Sequence, residues 1–338
     1  MPDKEFWSIL PEILEDFQNI FEEYGQSETF KQIKKALEYN FQNANMKIAH
    51  LTIRTYEELV LSQKIASPNR RLAYILAWCA EIYNVHILIL DDIIDNGEMR
   101  RGLACWHRLE SVGLNAITHS FMLEQLIYVL VQKHVSHLKC YTNILQLFRN
   151  VTLRSGCGKD MDSMFCKKSV AEFKRETYNT MAVNKGTYYN FYLPFALAMN
   201  LAGFTDPLIL KQCMDIFYEI GLYFQIQNDF LDCFGNLENS GKIGTDIQDN
   251  KFSWLAVTCM ELANEEQRQL MMDCYGSKDP KKVENVKELY KTLDLPSIYA
   301  DYEKESYEKS KTLISQLSNG VPHEIFVDIL NKIHQGPL

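Results

Sequence analysis

Apolar residues recur at three- and four-residue intervals through almost the whole chain, and no stretch alternates apolar and polar positions for long. Phe6, Ile9, Leu10, Ile13, Leu14 and Phe17 form the first helical stripe. The same spacing predicts helices over residues 30–39 and 48–61, and one that begins at Pro68 and runs to Asp95. Residues 103–107 read as a connection, followed by helices over 114–137, 141–165 and 170–181. Pro194 lies within an aromatic helical stretch and predicts a kink. Gly203 ends that helix, and residues 207–234 form the next. The longest polar break spans 235–250, and helices after Pro280, Pro296 and Pro322 finish the chain. The pattern predicts an all-α fold, a single large helical bundle formed by one domain over residues 1–338.

Two of these helices end in acidic clusters. DDIID places Asp91 and Asp95 four residues apart, on one helical face. Carboxylates held that way repel unless a cation lies between them. Mg²⁺, which takes hard oxygen ligands together with substrate phosphates, suits the pair. Arg100 and Arg101 follow with forked donors suited to a phosphate. An acidic helix end by itself is more often a solvated surface. The second cluster, NDFLD, repeats the spacing with Asn228 and Asp232 and strengthens the metal reading.

A loop over 235–250 would bring Lys242, Asp246 and Lys251 to the mouth of such a bundle. Below it, Tyr83, Ile87, Tyr188, Phe191, Tyr192 and Phe224 would line an apolar and aromatic interior. Any one of these aromatics could be ordinary core. Together, a metal and phosphate rim above a deep apolar pocket suits a long hydrocarbon carrying a diphosphate.

Composition narrows this further. Of 338 residues, 46% are apolar and only 9 are proline and 15 glycine, which favours long uninterrupted helices around a substantial core. The net charge of −9 argues against a nucleic-acid partner. Metal ions can still invert the local field for an anionic substrate. The 9 cysteines show neither CxxC pairs nor zinc spacing and read as thiols of a reducing compartment. The N-terminal stretch carries no signal-type pattern. The apolar window 73–90 is interrupted by Glu81, Asn84 and His86, as expected of a helix buried in protein rather than in lipid. A cytoplasmic protein without membrane insertion is expected.

Longer motifs carry a family resemblance. DDIIDNGEMRRG at 91–102, FQIQNDFLD at 224–232 and GKIGTDIQDNKFSWL at 241–255 are similar to those of the farnesyl diphosphate synthases. ALEYN at 36–40, NKGTYYNFYLP at 184–194 and LDLP at 293–296 extend the similarity along nearly the whole chain. The resemblance implies the isoprenoid (prenyltransferase/terpene) synthase fold, a homodimer, and three Mg²⁺ ions holding an allylic diphosphate. Carried onto this sequence, it makes Asp91, Asp95, Asn228 and Asp232 metal ligands. Asp92 supports the first pair, and Lys185 and Asp229 join the catalytic set. Arg100, Lys185 and Lys242 would grip the diphosphate, while Gln225, Asp246 and Lys251 order the second cluster and its loop.

The departures concern the second substrate. The family binds isopentenyl diphosphate partly through a GGKxxR motif after the LEYN stretch. Here Asn45 stands at the lysine position and Ile48 at the arginine position. Asn84 replaces a usual Gln or His, the basic C-terminal tail gives way to NKIHQGPL, and Arg101 alone remains of the set. A charge-assisted hydrogen bond to a diphosphate contributes roughly 1.5–3 kcal/mol, so doing without two of them is costly. A retained ionisation site beside a dismantled second site resembles the insect terpene synthases derived from this family. It leads to the expectation of a class I terpene synthase, a lyase converting (2E,6E)-farnesyl diphosphate to a sesquiterpene hydrocarbon or alcohol. The alternative is a chain-elongating prenyltransferase in which Lys47 compensates. An inactive homologue is disfavoured by the retained Asp91, Asp95, Arg100, Lys185, Lys242 and Asp246. His86 and Ile87, replacing a usual aromatic pair before DDIID, would reshape the pocket floor. His86 itself reads as a packing residue with a satisfied hydrogen bond, or else as a base.

Overall fold

The computed structural model describes residues 4–63, 69–235, 244–317 and 320–336. They are almost entirely helical. In chain order come α1 (Lys4–Glu23), α2 (Ser27–Phe41), α3 (Lys47–Gln63) and α4 (Arg70–Ile94). After a short ribbon, α5 (Asn115–Val135), α6 (Tyr141–Phe165), α7 (Arg175–Ala182), a π-helical segment (Val183–Tyr192), α8 (Leu193–Leu201) and α9 (Pro207–Phe234) follow. The remainder is α10 (Trp254–Leu262), α11 (Glu265–Cys274), α12 (Pro280–Thr292), α13 (Leu295–Ser315) and α14 (His323–His334). The residues group into two compact units, Met1–Val151 with Tyr189–Asp206, and Thr152–Tyr188 with Pro207–Leu338.

In the first unit α4 is the central element. Asn69 caps it by accepting from the Leu72 N–H at 3.1 Å, and nearly every residue from Leu72 to His86 is buried. By length and hydropathy α4 could cross a membrane, yet 89% of its apolar window is buried inside the protein. It is a core helix. Phe6 of α1 stacks on Trp78 with ring centroids 4.3 Å apart, and the Trp78 indole N–H donates to the Phe6 carbonyl at 3.0 Å.

In the second unit the core gathers Tyr178, Ile226, Phe252, Trp254, Val286 and Tyr290 from α7, α9, α10, α12 and the loop before α10. Two glycines allow unusually close backbone approach there. A Cβ on Gly221 of α9 would lie 2.0 Å from Thr187 Oγ1, and one on Gly158 of α6 would lie 2.2 Å from the Lys185 nitrogen.

Three features differ from the pattern-based expectation. Residues 170–181 are not one helix: Ser169 and Glu172 form a capping box on a three-residue 3₁₀ turn, Val170–Glu172, and α7 starts only at Arg175. Pro194 stands in the first turn of α8, but α7, the π-helical segment and α8 follow one another as an unbroken helical run, so its missing N–H leaves the preceding turn one bond short and the irregularity takes the form of the π-helical segment just before it. Residues 99–104 form a two-stranded antiparallel ribbon, Met99 opposite Ala104 and Arg100 opposite Leu103. Its turn residues Arg101 and Gly102 have φ of 53° and 78°, the paired positive values of a tight hairpin, which is why a glycine follows the arginine pair. The predicted helix start at Pro68 lies outside the described residues.

The Gly221–Thr187 contact is testable. Gly221→Ala is expected to lower unfolding free energy by about 1–3 kcal/mol through overpacking. A Thr187→Ala partner change should recover only part of that stability, because the residue 187 Cβ, 2.7 Å from the added carbon, stays in place. Urea-unfolding midpoints of the two single variants and the double variant check the non-additivity.

Candidate functional site

The end of α4 divides its carboxylates by exposure. Asp92 is buried at 5% exposure, Asp91 is half-buried and Asp95 is exposed. Burying Asp92 requires donors, and Arg100 on the ribbon supplies them. Its Nε donates to Asp92 Oδ1 at 2.9 Å, while Nη2 pairs with Asp92 and reaches Asp91 Oδ2 at 3.4 Å. Burial disfavours the Arg100 charge, but the Asp92 hydrogen bonds and the two carboxylates outweigh it and raise its pKa. The Gly97 N–H closes the turn onto the Asp92 carbonyl at 2.8 Å. Asp91 and Asp95 thus remain on the outer side, a pair of hard oxygen donors that fits Mg²⁺.

The second cluster has the same organisation. Asp229 is buried at 7% exposure, while Asn228 and Asp232, which flank it around α9, are half-buried. Asp229 Oδ2 accepts from the Tyr178 hydroxyl at 2.6 Å and from the Trp254 N–H at 2.8 Å, and Oδ1 accepts from the Gln225 amide at 2.8 Å. Burial raises its pKa to about 6, against the opposing pull of those three donors and of Lys185. Asp229 therefore fixes the Gln225 side chain and the start of α10. Asp232 Oδ1 accepts the Asp246 N–H at 3.0 Å. Gly244 crosses so closely over the Asp232 carbonyl that a Cβ would lie 1.7 Å from it. Asn228 and Asp232 also suit Mg²⁺ by donor chemistry. Lys242 lies outside the described residues.

Sequence reasoning missed Asp162. Its carboxylate, in α6, is buried, and Oδ2 pairs with Lys185 at 2.6 Å, with Lys251 at 3.9 Å and with Lys159 at 3.9 Å. The signal was present as an i, i+3 Lys–Asp pair, but nothing in it marked the pair as different from a surface ion pair.

The aromatic candidates fall in both units. Tyr83, buried, lies 5.6 Å from His86, 6.0 Å from Phe148 and 6.5 Å from Tyr189 by ring centroids. Phe191 is buried and Ile87 half-buried. In the second unit Tyr188 and Phe224 are half-buried, and the Arg154 guanidinium lies 4.5 Å from the Tyr188 ring centroid. His86 is buried. Its Nδ1 contacts Ser120 Oγ at 2.8 Å and the Ser120 carbonyl at 3.0 Å, while Ser120 Oγ donates to the His86 carbonyl at 2.9 Å. Burial lowers its pKa, with Glu124 and Ser120 pulling the other way.

The altered loop before α3 is folded around apolar side chains. Ile48 and Met46 are buried at 4% and 3% exposure, while Asn45 is exposed. Asn43 and Met46 take positive φ values of 57° and 51°. Arg101 Nη1 donates to the Asn40 carbonyl at 2.9 Å, and Asn43 Nδ2 donates to the Arg101 carbonyl at 3.2 Å. Glu81, buried, accepts the Ala49 N–H at 2.9 Å and the Asn84 amide at 3.3 Å, with the Arg101 charge nearby. Another candidate metal group, Glu12, Asp16 and His134, has its ligand atoms within 4.8 Å of one another. Arg71 pairs with Glu12, and Lys133 and His134 pair with Asp16, so it is an ion-pair network.

The family model described as polyprenyl synthetase matches residues 30–293. The chain belongs to the polyprenyl synthetase family. Its relatives include the farnesyl pyrophosphate synthase of Rattus norvegicus, 37% identical over 92% of this chain and 89% of the relative. That of Nezara viridula is 34% identical over 98% and 82%, and that of Saccharomyces cerevisiae 36% identical over 98% and 96%. The all-α expectation holds, and enzymes of the polyprenyl synthetase family use Mg²⁺. The terpene synthase expectation is overturned. Relatives matched along nearly the full length carry the name of a prenyl diphosphate synthase, so neither the lyase assignment nor a sesquiterpene product stands, and the likeness is to the synthases themselves. The physical error was to let the changes at Asn45, Ile48 and Asn84 decide the affinity of the whole second site, although Arg101 and Lys47 remain there. In this polyprenyl synthetase the loop is repacked around Ile48, which removes two cations without showing that the second diphosphate lacks every other anchor.

Asp229→Asn is expected to leave the Tyr178, Trp254 or Gln225 donor poorly matched and to cost about 1–3 kcal/mol of stability. Turnover should fall along with it as Gln225 loses its anchor. Thermal unfolding and kcat measured on one preparation check both effects.

Proposed function

We propose that this polyprenyl synthetase is a chain-elongating prenyltransferase. It joins an allylic diphosphate, dimethylallyl or geranyl, to isopentenyl diphosphate. The observation that carries the reading is the shared build of the two acidic clusters, each with one carboxylate locked inward and two outward oxygen donors, in a chain 34–37% identical to farnesyl pyrophosphate synthases. Asp91 and Asp95, with Asn228 and Asp232, would hold three Mg²⁺ ions, which neutralise the departing diphosphate when bound. Arg100, Lys185, Lys242 and Lys251 add cations for the same leaving group.

The allylic C–O bond breaks with its electron pair leaving on the diphosphate. The double bond of isopentenyl diphosphate attacks the allylic cation, a C–C bond forms, and a proton is lost to restore a double bond five carbons further on. Apolar and aromatic walls, Tyr83, Ile87 and Phe191 among them, exclude water that would otherwise capture the cation. Arg101 and Lys47 anchor the isopentenyl diphosphate, Lys47 as the exposed first residue of α3. The enzyme acts in the cytoplasm as a single isoprenoid synthase domain and a homodimer. Leu114, Ile117 and Phe121, exposed at 72%, 46% and 61% with helical spacing, supply an apolar contact face.

The deciding assay gives purified protein, with Mg²⁺, geranyl diphosphate and labelled isopentenyl diphosphate. A prenyl diphosphate five carbons longer is expected. Volatile hydrocarbon from the allylic substrate, with no label incorporated, would overturn the assignment. Asp91→Ala should reduce turnover by at least a hundredfold with the helical circular dichroism unchanged. Lys47→Gln should raise KM for isopentenyl diphosphate about tenfold, roughly one charge-assisted hydrogen bond, and leave KM for the allylic substrate alone. Phe121→Glu should shift the sedimenting species from dimer to monomer.

A further inference from the structure

The Asp162 cluster goes beyond an ion pair. Three ammonium groups approach a single carboxylate oxygen: Lys185 at 2.6 Å, Lys251 at 3.9 Å and Lys159 at 3.9 Å. They come from three places in the second unit, namely the π-helical segment, the loop before α10, and α6 one turn before Asp162. The carboxylate is buried at 4% side-chain exposure, while the lysines keep 25%, 21% and 13% of theirs. The anion is thus the inner member of the group, and the ammonium groups are its outer layer.

Backbone geometry enforces this convergence. Gly158, immediately before Lys159, lets α6 approach until a Cβ would lie 2.2 Å from the Lys185 nitrogen and 2.6 Å from its Cα. A side chain there would push Lys185 away from Asp162. Like charges drawn together raise the energy of the free protein, and a multivalent anion settling among them relieves it. Lysine, a compact point charge with three rotatable donors, suits phosphate oxygens arriving from several directions.

We propose that Lys159 is a further diphosphate-binding lysine, acting with Lys185 and Lys251, and that Asp162 is the positioning residue that gathers these three. The ligand is the diphosphate end of the allylic substrate, so this rests on the prenyltransferase reading above for the identity of the substrate, though not for the chemistry of the anion.

The test uses the full chain and inorganic pyrophosphate with Mg²⁺, titrated calorimetrically into wild type, Lys159→Gln, Lys159→Arg and Asp162→Asn. Lys159→Gln is expected to weaken pyrophosphate binding about tenfold, about 1.4 kcal/mol. It should raise KM for the allylic diphosphate by a similar factor without moving KM for isopentenyl diphosphate. Lys159→Arg should restore most of the affinity. In an Asp162→Asn background the Lys159→Gln change should matter less, because the gathering is already undone. Should Asp162→Asn fail to fold, the Lys159 pair decides alone. Pyrophosphate affinity and allylic KM within twofold of wild type in a stably folded Lys159→Gln protein would overturn the proposal. Lys159-dependent pyrophosphate binding in a protein that extends no chain would instead sink the prenyltransferase reading and leave the lysine assignment standing.

Discussion

A carboxylate taken out of water has to be met by donors or it neutralises or unfolds its surroundings. That constraint organises this molecule more than any other. Asp92 is met by Arg100, Asp229 by Tyr178, Gln225 and Trp254, Asp162 by lysines, and Glu81 by the first turn of α3. Asp162, Glu81 and Asp229 tie their helices to partners 23, 32 and 51 residues away, and Asp92 ties the end of α4 to the ribbon that follows it. In each acidic motif the inward carboxylate acts as a peg that fixes the rotation of its helix end. The outward oxygens of Asp91 and Asp95, and of Asn228 and Asp232, are then presented on an end that cannot turn away.

The same constraint explains why identical letters do different work. In DDIID the spacing of four picks out Asp91 and Asp95 as a pair, and the middle acid, one residue on, lies about 100° around the helix. That rotation carries Asp92 into the protein, where it recruits Arg100. In NDFLD the rotation carries Asp229 inward to Tyr178. An arginine assigned to substrate from its place in a motif thus also has a structural duty, because without Arg100 the buried Asp92 would lack its principal donor.

Much of the fold was legible. The limits of α6 and α9 coincide with those expected from the sequence, because both are long and bounded by a turn or by proline. Other features left no such trace. The π-helical segment leaves no pattern of its own, and only Pro194 just after it marks the place. The ribbon at 99–104 is two residues per strand, too short for alternation to register, although the arginine–glycine pair at its turn is recognisable once the positive φ values are seen. The helices α10 and α11 went unread because they are short and announced by side-chain caps, Ser253 and Asn264, rather than by long stripes. Asp162 was invisible because its partners are spread over nearly a hundred residues of sequence.

The altered loop at 43–48 shows how negative evidence fails. Two missing cations are a local observation, and binding free energy is not local. A diphosphate can be held by any donors that converge on it, and Lys47, exposed, opens α3 beside the buried Ile48. Ile48 fills core where a charged side chain would have to reach solvent, so the substitution alters packing as well as charge. Two fewer cations bound the affinity of one subsite by a few powers of ten. They do not choose between two fates of an allylic cation, because that choice depends on whether a double bond lies within reach when the C–O bond breaks. Similarity along nearly the full length weighs many positions at once and therefore outweighs a few changed positions read alone.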